Sequence, residues 1–211
     1  MLLDVRRRIT QACLAVGRDP TSVRLVAVTK GRTVADIAAL VAQGVTDIGE
    51  SRVQEALVKQ ASFPDLAFHL IGSLQRNKVK FVSRFAMLHS LDSLALAETV
   101  ARRADLGERI PPVLVEVRLA SDGEKQGIGP DDAPGLVRAA LALGLDVRGL
   151  MTIGPQGDLD GTRRAFARAR ELRDSLGLPE LSMGMSGDFE LAIAEGATLV
   201  RVGSALFEER A

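Results

Sequence analysis

Residues 23–49, VRLVAVTKGRTVADIAALVAQGVTDIG, decide the fold. The opening VRLVAVT is rich in aliphatic and β-branched side chains, which reads as a strand buried on both faces and ending at Lys30. Thr33 then opens VADIAALVAQG, where Val34, Ile37, Leu40 and Val41 recur at helical spacing and Gly44 supplies a stop. VTDIG begins another strand. Strand, helix and strand in immediate succession form the repeating unit of a parallel sheet.

Working outward, the alternation continues. AFHLIG (67–72), AMLHSLD (86–92), PPVLVEVRL (111–119), DVRGLMTIG (146–154), ELSMGM (180–185) and TLVRVG (198–203) each read as a short strand, and the stretches after them as helices. With the first two, there are eight strands, and an amphipathic helix over residues 2–16 precedes them. Eight βα units without a sustained hairpin signal predict a single-domain (β/α)8 TIM barrel with an extra N-terminal helix, occupying residues 1–211. The competing arrangement is an open doubly wound sheet, but no glycine-rich dinucleotide loop follows the first strand. Barrels usually run to ~250 residues, so 211 residues leave room for few insertions and predict a ligand mouth open to water.

Composition narrows the function. The 27 Lys plus Arg balance the 27 Asp plus Glu, which argues against nucleic acid or an anionic membrane as the main partner. The densest charge run, RRAFARARELRD (163–174), interleaves Glu171 and Asp174 on one helix and reads as a solvated outer face. Cys13 stands alone and His69 and His89 are the only histidines, so neither a disulfide nor a usual zinc or iron site is expected. Apolar stretches are far too short for a membrane span, and the first ten residues lack a signal-peptide core. The expectation is a cytoplasmic protein. There is no tryptophan and no tyrosine.

Two features could carry chemistry. Of the five lysines, Lys59, Lys78, Lys80 and Lys125 fall on amphipathic helices or a polar loop and read as solvated. Lys30 instead ends an apolar strand at the face where barrels place their sites. Partial desolvation there would favour the neutral amine that attacks a carbonyl to form a Schiff base; the alternative is a lysine snorkelling from a strand end. The second feature is a pair of loops: Ser186, Gly187 and Asp188 after strand seven, Gly203 and Ser204 after strand eight. Neighbouring loops with exposed backbone N–H groups and hydroxyls at helix starts can bind phosphate or simply cap the helices. Closure would bring strand eight beside strand one and Lys30. A Schiff-base lysine beside a phosphate cradle fits pyridoxal 5′-phosphate (PLP). Arg201, inward on strand eight, could then face the pyridine nitrogen, or pair with Glu50 or Asp92 in the mouth.

The blocks LVAVTKGRTVADIAALVAQGVTDIGESRVQEALVK, FHLIGSLQRNKVKFV, LHSLDS, GLMTIG, LSMGMSGDFELAIAEG and VRVGSALFEER resemble the pyridoxal phosphate homeostasis protein family, in order and over nearly the whole chain. That family is similar in fold to the N-terminal barrel of alanine racemase. The resemblance implies one PLP-binding domain with cofactor on Lys30, phosphate held by Ser186, Gly203 and Ser204, and Arg201 facing the ring nitrogen. It implies a role in vitamin B6 homeostasis and PLP supply, with PLP-dependent apoenzymes as candidate partners and little or no turnover. Arg32 replaces a frequent second lysine, and Ser51 a frequent asparagine, which bear on cofactor transfer and ring contacts.

Two other functions compete. A PLP-dependent amino-acid racemase needs a second acid/base opposite the lysine, which the racemase resemblance assigns to a tyrosine from another domain. His69 and His89 read instead as hydrogen-bonded pocket residues. A barrel binding some other phosphorylated metabolite remains open if Lys30 is merely structural. A monomer is expected, because the mouth needs no partner domain.

Overall fold

The computed structural model describes residues 1–119, 126–155 and 157–207; Lys125 lies outside them. Eight parallel strands close into a barrel in chain order, with β8 returning to β1. They are β1 (Arg24–Val28), β2 (Asp47–Glu50), β3 (Ala67–Leu70), β4 (Met87–Leu91), β5 (Val113–Glu116), β6 (Val147–Met151), β7 (Glu180–Ser182) and β8 (Leu199–Val202). Each falls on or within one residue of its expected segment and is shorter, because only residues that pair with a neighbouring strand extend the ladder. The doubly wound alternative is excluded by the pairing of Val26 with Arg201 and Ala27 with Val202.

Strand periodicity divides the core in two. Val26, Met87, Leu114, Met151 and Leu199 pack inside the barrel, while Ala27, Ile48, Phe68 and Val200 join the larger layer beneath the helices. Burial of β1 on both faces holds at Val26 and Ala27, whereas Arg24 at its start is exposed.

The outer ring consists of α2 (Val34–Val41), α3 (Val53–Ser62), α4 (Leu94–Ala104), α5 (Ala133–Ala142), α6 (Leu159–Ser175), α7 (Phe189–Ala194) and α8 (Ser204–Phe207), with α1 (Leu2–Ala15) as the extra N-terminal helix. Leu2, Val5, Ile9 and Cys13 make the buried stripe of α1. Arg8 ties α1 to α7 by pairing with Glu190 and lying over the Phe189 ring. The start of α2 is fixed by a capping box between Thr33 and Asp36. On α6, Phe166, Ala169 and Leu172 face inward while Arg163, Arg164 and Arg168 are exposed, the face expected of the arginine run.

One expected helix differs. After β3 the chain forms a 3-10 segment, Arg76–Arg84. Val79, Val82 and Phe85 are buried at intervals of three, the spacing that a helix of three residues per turn satisfies. Among the described residues, no helix is long and apolar enough to cross a membrane, and no three His, Cys, Asp or Glu side chains are grouped to hold a metal ion.

Candidate functional site

At the C-terminal mouth, Lys30, Ser51, Ser186, Gly187, Arg201, Gly203 and Ser204 line one cleft of about 370 Å³ with the apolar walls Val28, Ile71, Ile153 and Met185. The five residues expected to contact the cofactor, Lys30, Ser186, Arg201, Gly203 and Ser204, therefore meet here, together with Gly187, while Asp188 is not part of the lining. The volume lies in the range of small-molecule sites.

Lys30 stands one residue beyond Thr29, past the end of β1, followed by Gly31 in the left-handed region at φ 70°. Its side chain is exposed, so the expected partial desolvation is not found: it projects from the rim rather than from the strand interior. A polar cluster instead holds its backbone on both sides. Lys59 donates to the Thr29 carbonyl and to Glu50 and Glu55, each at 2.6 Å, and Glu55 also accepts from the Gly31 amide at 2.6 Å.

This corrects the reading of Lys59 as solvated. It is 4% exposed, because the polar edge of α3 turns toward β2 and meets a fully buried Glu50. Burial pushes the Glu50 carboxyl up against the pull of Lys59 and Thr29. On Glu55, burial is outweighed by bonds from Lys59 and Gly31, and its carboxyl falls below the usual range. Lys78, half-buried, and Lys80, exposed, lie in the 3-10 segment.

The β7 and β8 loops meet across the cleft. Gly184, at φ 93°, turns the chain after β7 where a Cβ would lie 2.6 Å from that of Ala192. Ser186 Oγ accepts from the Gly203 and Ala205 amides, each at 3.2 Å. Capping is thus present, but across loops. Asp188 is the N-cap residue of α7 but makes no side-chain capping bond; its carboxylate accepts from the Met185 amide. With α7 at six residues and α8 at four, the useful donors are individual amides and hydroxyls rather than a helix dipole.

Arg201 is 4% exposed and inward-facing. It pairs with neither Glu50 nor Asp92: Nη1 donates to Ser182 Oγ at 2.7 Å and Nη2 to the Thr152 carbonyl at 3.0 Å. Glu50 is committed to Lys59 instead. Burial lowers Arg201 to about 10 against the opposing fields of Glu116 and Asp188, leaving it a cation at neutral pH. Burial, with Asp92 adding to it, lifts Glu116 to about 7 against the pull of Arg201. Asp188 is raised by burial despite the Met185 amide.

His69 and His89 are hydrogen-bonded as expected but do not line the cleft. Their positions in the middle of β3 and β4 put them inside the barrel beneath it. Ser51 does line the cleft, and Arg32 stacks 4.5 Å from the Phe207 ring centroid. The apolar walls were missed, although Val28, Ile71, Ile153 and Met185 all fall at strand ends where side chains enter a barrel mouth.

Barrel and mouth place the chain in a defined class: the family description "Alanine racemase, N-terminal domain" matches residues 7–211. Within that class, a pyridoxal phosphate homeostasis protein of Deinococcus radiodurans is 44% identical over 200 residues, 94% of this chain and 95% of the relative. One of Pseudomonas aeruginosa is 43% identical, covering 99% and 94%. The chain belongs to the pyridoxal phosphate homeostasis protein family. PipY of Synechococcus elongatus PCC7942, solved with PLP bound, superposes with a TM-score of 0.82 at 40% identity, over 95% of this chain and 100% of that one. An alanine racemase of Clostridium difficile shares the fold, with a TM-score of 0.72 at 16% identity.

Proposed function

We propose that the chain binds PLP in this cleft as a single cofactor-binding domain and serves PLP homeostasis, holding and supplying the cofactor with little or no turnover. The observation that carries this reading is the convergence of one primary amine, Lys30, with Ser186, Gly203 and Ser204 in the same cleft, over the Arg201 guanidinium.

The donor set fits the cofactor. Lys30 supplies an amine for the aldehyde, the hydroxyls of Ser186 and Ser204 supply donors for a phosphate dianion, which the Gly203 amide would join on leaving Ser186 Oγ, and Val28, Ile71, Ile153 and Met185 supply an apolar seat for the ring. When bound, PLP supplies an electron sink for chemistry on amines. Arg201 cannot give its proton to a ring nitrogen, so facing the ring it would leave that nitrogen unprotonated and weaken the sink. The chain has no tyrosine to act as a second base. These two features favour a carrier over a racemase, and the open mouth suits exchange of cofactor with apoenzymes by a monomer.

Titration of the apo-protein with PLP and with pyridoxal, followed by visible absorbance, tests the reading. Charge-assisted hydrogen bonds contribute ~1.5–3 kcal/mol each, so pyridoxal should bind at least about tenfold more weakly. Equal affinities would refute the phosphate cradle, and absence of any visible band with PLP would refute the cofactor site.

A further inference from the structure

A line of polar side chains crosses the barrel interior from Arg201 to the opposite rim. Arg201 Nη1 donates to Ser182 Oγ at 2.7 Å. Ser182 Oγ lies 3.0 Å from His89 Nδ1. His89 Nε2 lies 3.0 Å from His69 Nδ1, and His69 Nε2 lies 3.0 Å from Asp47 Oδ1. Ser182 and His89 are fully buried, and His69 is 1% exposed. Asp47, the first residue of β2, marks the N-terminal end of the barrel, away from the cleft. It also accepts from Thr46 Oγ1 at 2.7 Å, and Arg24 Nε approaches to 4.0 Å.

With both histidines neutral, the two ends fix the direction of every bond between them. A guanidinium only donates and an ionised carboxylate only accepts. Each intermediate group can then accept on the arginine side and donate on the aspartate side. The Ser182 hydroxyl donates to His89 Nδ1, His89 carries its proton on Nε2 and donates to His69 Nδ1, and His69 carries its proton on Nε2 and donates to Asp47. The opposite polarity would turn His89 Nδ1–H toward a serine oxygen already receiving Arg201, leaving the hydroxyl hydrogen without this acceptor. Burial, reinforced by the guanidinium fields of Arg201 and Arg24, drives His89 well below the ordinary histidine range and keeps it neutral. Burial of Asp47 is outweighed by the bonds from His69 and Thr46 and the field of Arg24, so its carboxyl titrates below the usual range.

We propose that Asp47 is a positioning residue for the cofactor site: through His69, His89 and Ser182, it holds the Arg201 guanidinium in the orientation it presents to the cofactor ring. The inference rests on the PLP reading for its ligand but not for its geometry. Aligned hydrogen bonds between a cation and an anion polarise one another, and outer-shell partners of this kind fix the tautomer and orientation of the groups they support.

Nitrogen-15 NMR of the apo-protein at pH 8, compared with Asp47→Asn and Ser182→Ala, tests the chain without cofactor. Nε2–H tautomers at both histidines in the wild type, and a displaced Arg201 guanidinium resonance in the variants, are expected. With PLP added, both variants should show a displaced visible band and an affinity about tenfold lower, the lower end of the cost of losing an outer-shell partner. An Nδ1–H tautomer at His89, or an Arg201 resonance and cofactor band unchanged in folded Asp47→Asn, would overturn the proposal. If circular dichroism shows Asp47→Asn unfolded, an unchanged resonance and band in Ser182→Ala overturns it alone. A wild type with the expected tautomers but no visible band would instead count against the PLP reading.

Discussion

Lys30 earns its place by where its backbone is held. The Thr29 carbonyl and Gly31 amide on either side are both bonded to the Lys59 cluster, while the amine projects into the cleft. Lys30→Ala should therefore fold like the wild type by circular dichroism and thermal melting, since an exposed side chain is removed, yet show no covalent cofactor. Ser186→Ala removes a hydroxyl that already serves two amides, so it should weaken PLP binding by about tenfold while leaving pyridoxal binding nearly unchanged in the same titration. Glu116 sets a pH dependence. Its folded value of about 7 exceeds the ordinary 4.5, so the native state retains a proton that the unfolded chain releases. Stability is then full below about 4.5 and is lost as pH rises through about 7, by up to about 3 kcal/mol. Glu116→Gln, which imitates the protonated form, should flatten this fall in urea unfolding at pH 5 and pH 8; an unchanged slope would remove Glu116 as its cause.

Among the elements, α3 joins β2 to the loop after β1 through charge. Lys59→Met would strand Glu50, whose Oε2 is already buried with no hydrogen-bond partner among the described residues. Breaking a buried pair from one side costs ~3–5 kcal/mol. Adding Glu50→Gln should recover at least ~1 kcal/mol, which a double-mutant cycle by denaturant unfolding would measure. This cluster marks a limit of reading by pattern. The segment VQEALVKQ places Lys59 four residues after Glu55, the spacing of a solvated ion pair, and only tertiary placement reveals the carboxylate of Glu50 facing it. The strands were legible because their aliphatic runs are short and separated by helical periodicity. The 3-10 segment was not, because Val79, Val82 and Phe85 satisfy an amphipathic pattern that only backbone geometry separates from an α-helix. His69 and His89 were legible as hydrogen-bonded, but not as interior: strand alternation shows which side chains share a face, while their depth along the barrel depends on register.

At the scale of the molecule, closure is what makes the site. β1 and β8 are distant in sequence, and their pairing puts Lys30 and the Gly203–Ser204 turn on one rim. Five residues that line the cleft could be named from the chain because barrels gather strand ends at one face, whereas the support beneath them depends on inward-facing pairs that no linear spacing records. The carrier reading predicts that protein loaded with PLP and incubated with L-alanine or other amino acids shows neither racemisation nor keto-acid release near the ~1–10³ s⁻¹ of ordinary enzymes. Loss of a second base alone removes roughly 10²–10⁴-fold. Such turnover, followed by optical rotation, would establish an enzyme instead. Borohydride reduction of the PLP-loaded protein, followed by peptide mass mapping, locates the cofactor linkage itself. A single pyridoxyl group on Lys30, absent from Lys30→Ala, is the expected result; modification of Lys59, Lys78, Lys80 or Lys125 in its place, or none at all, would contradict it.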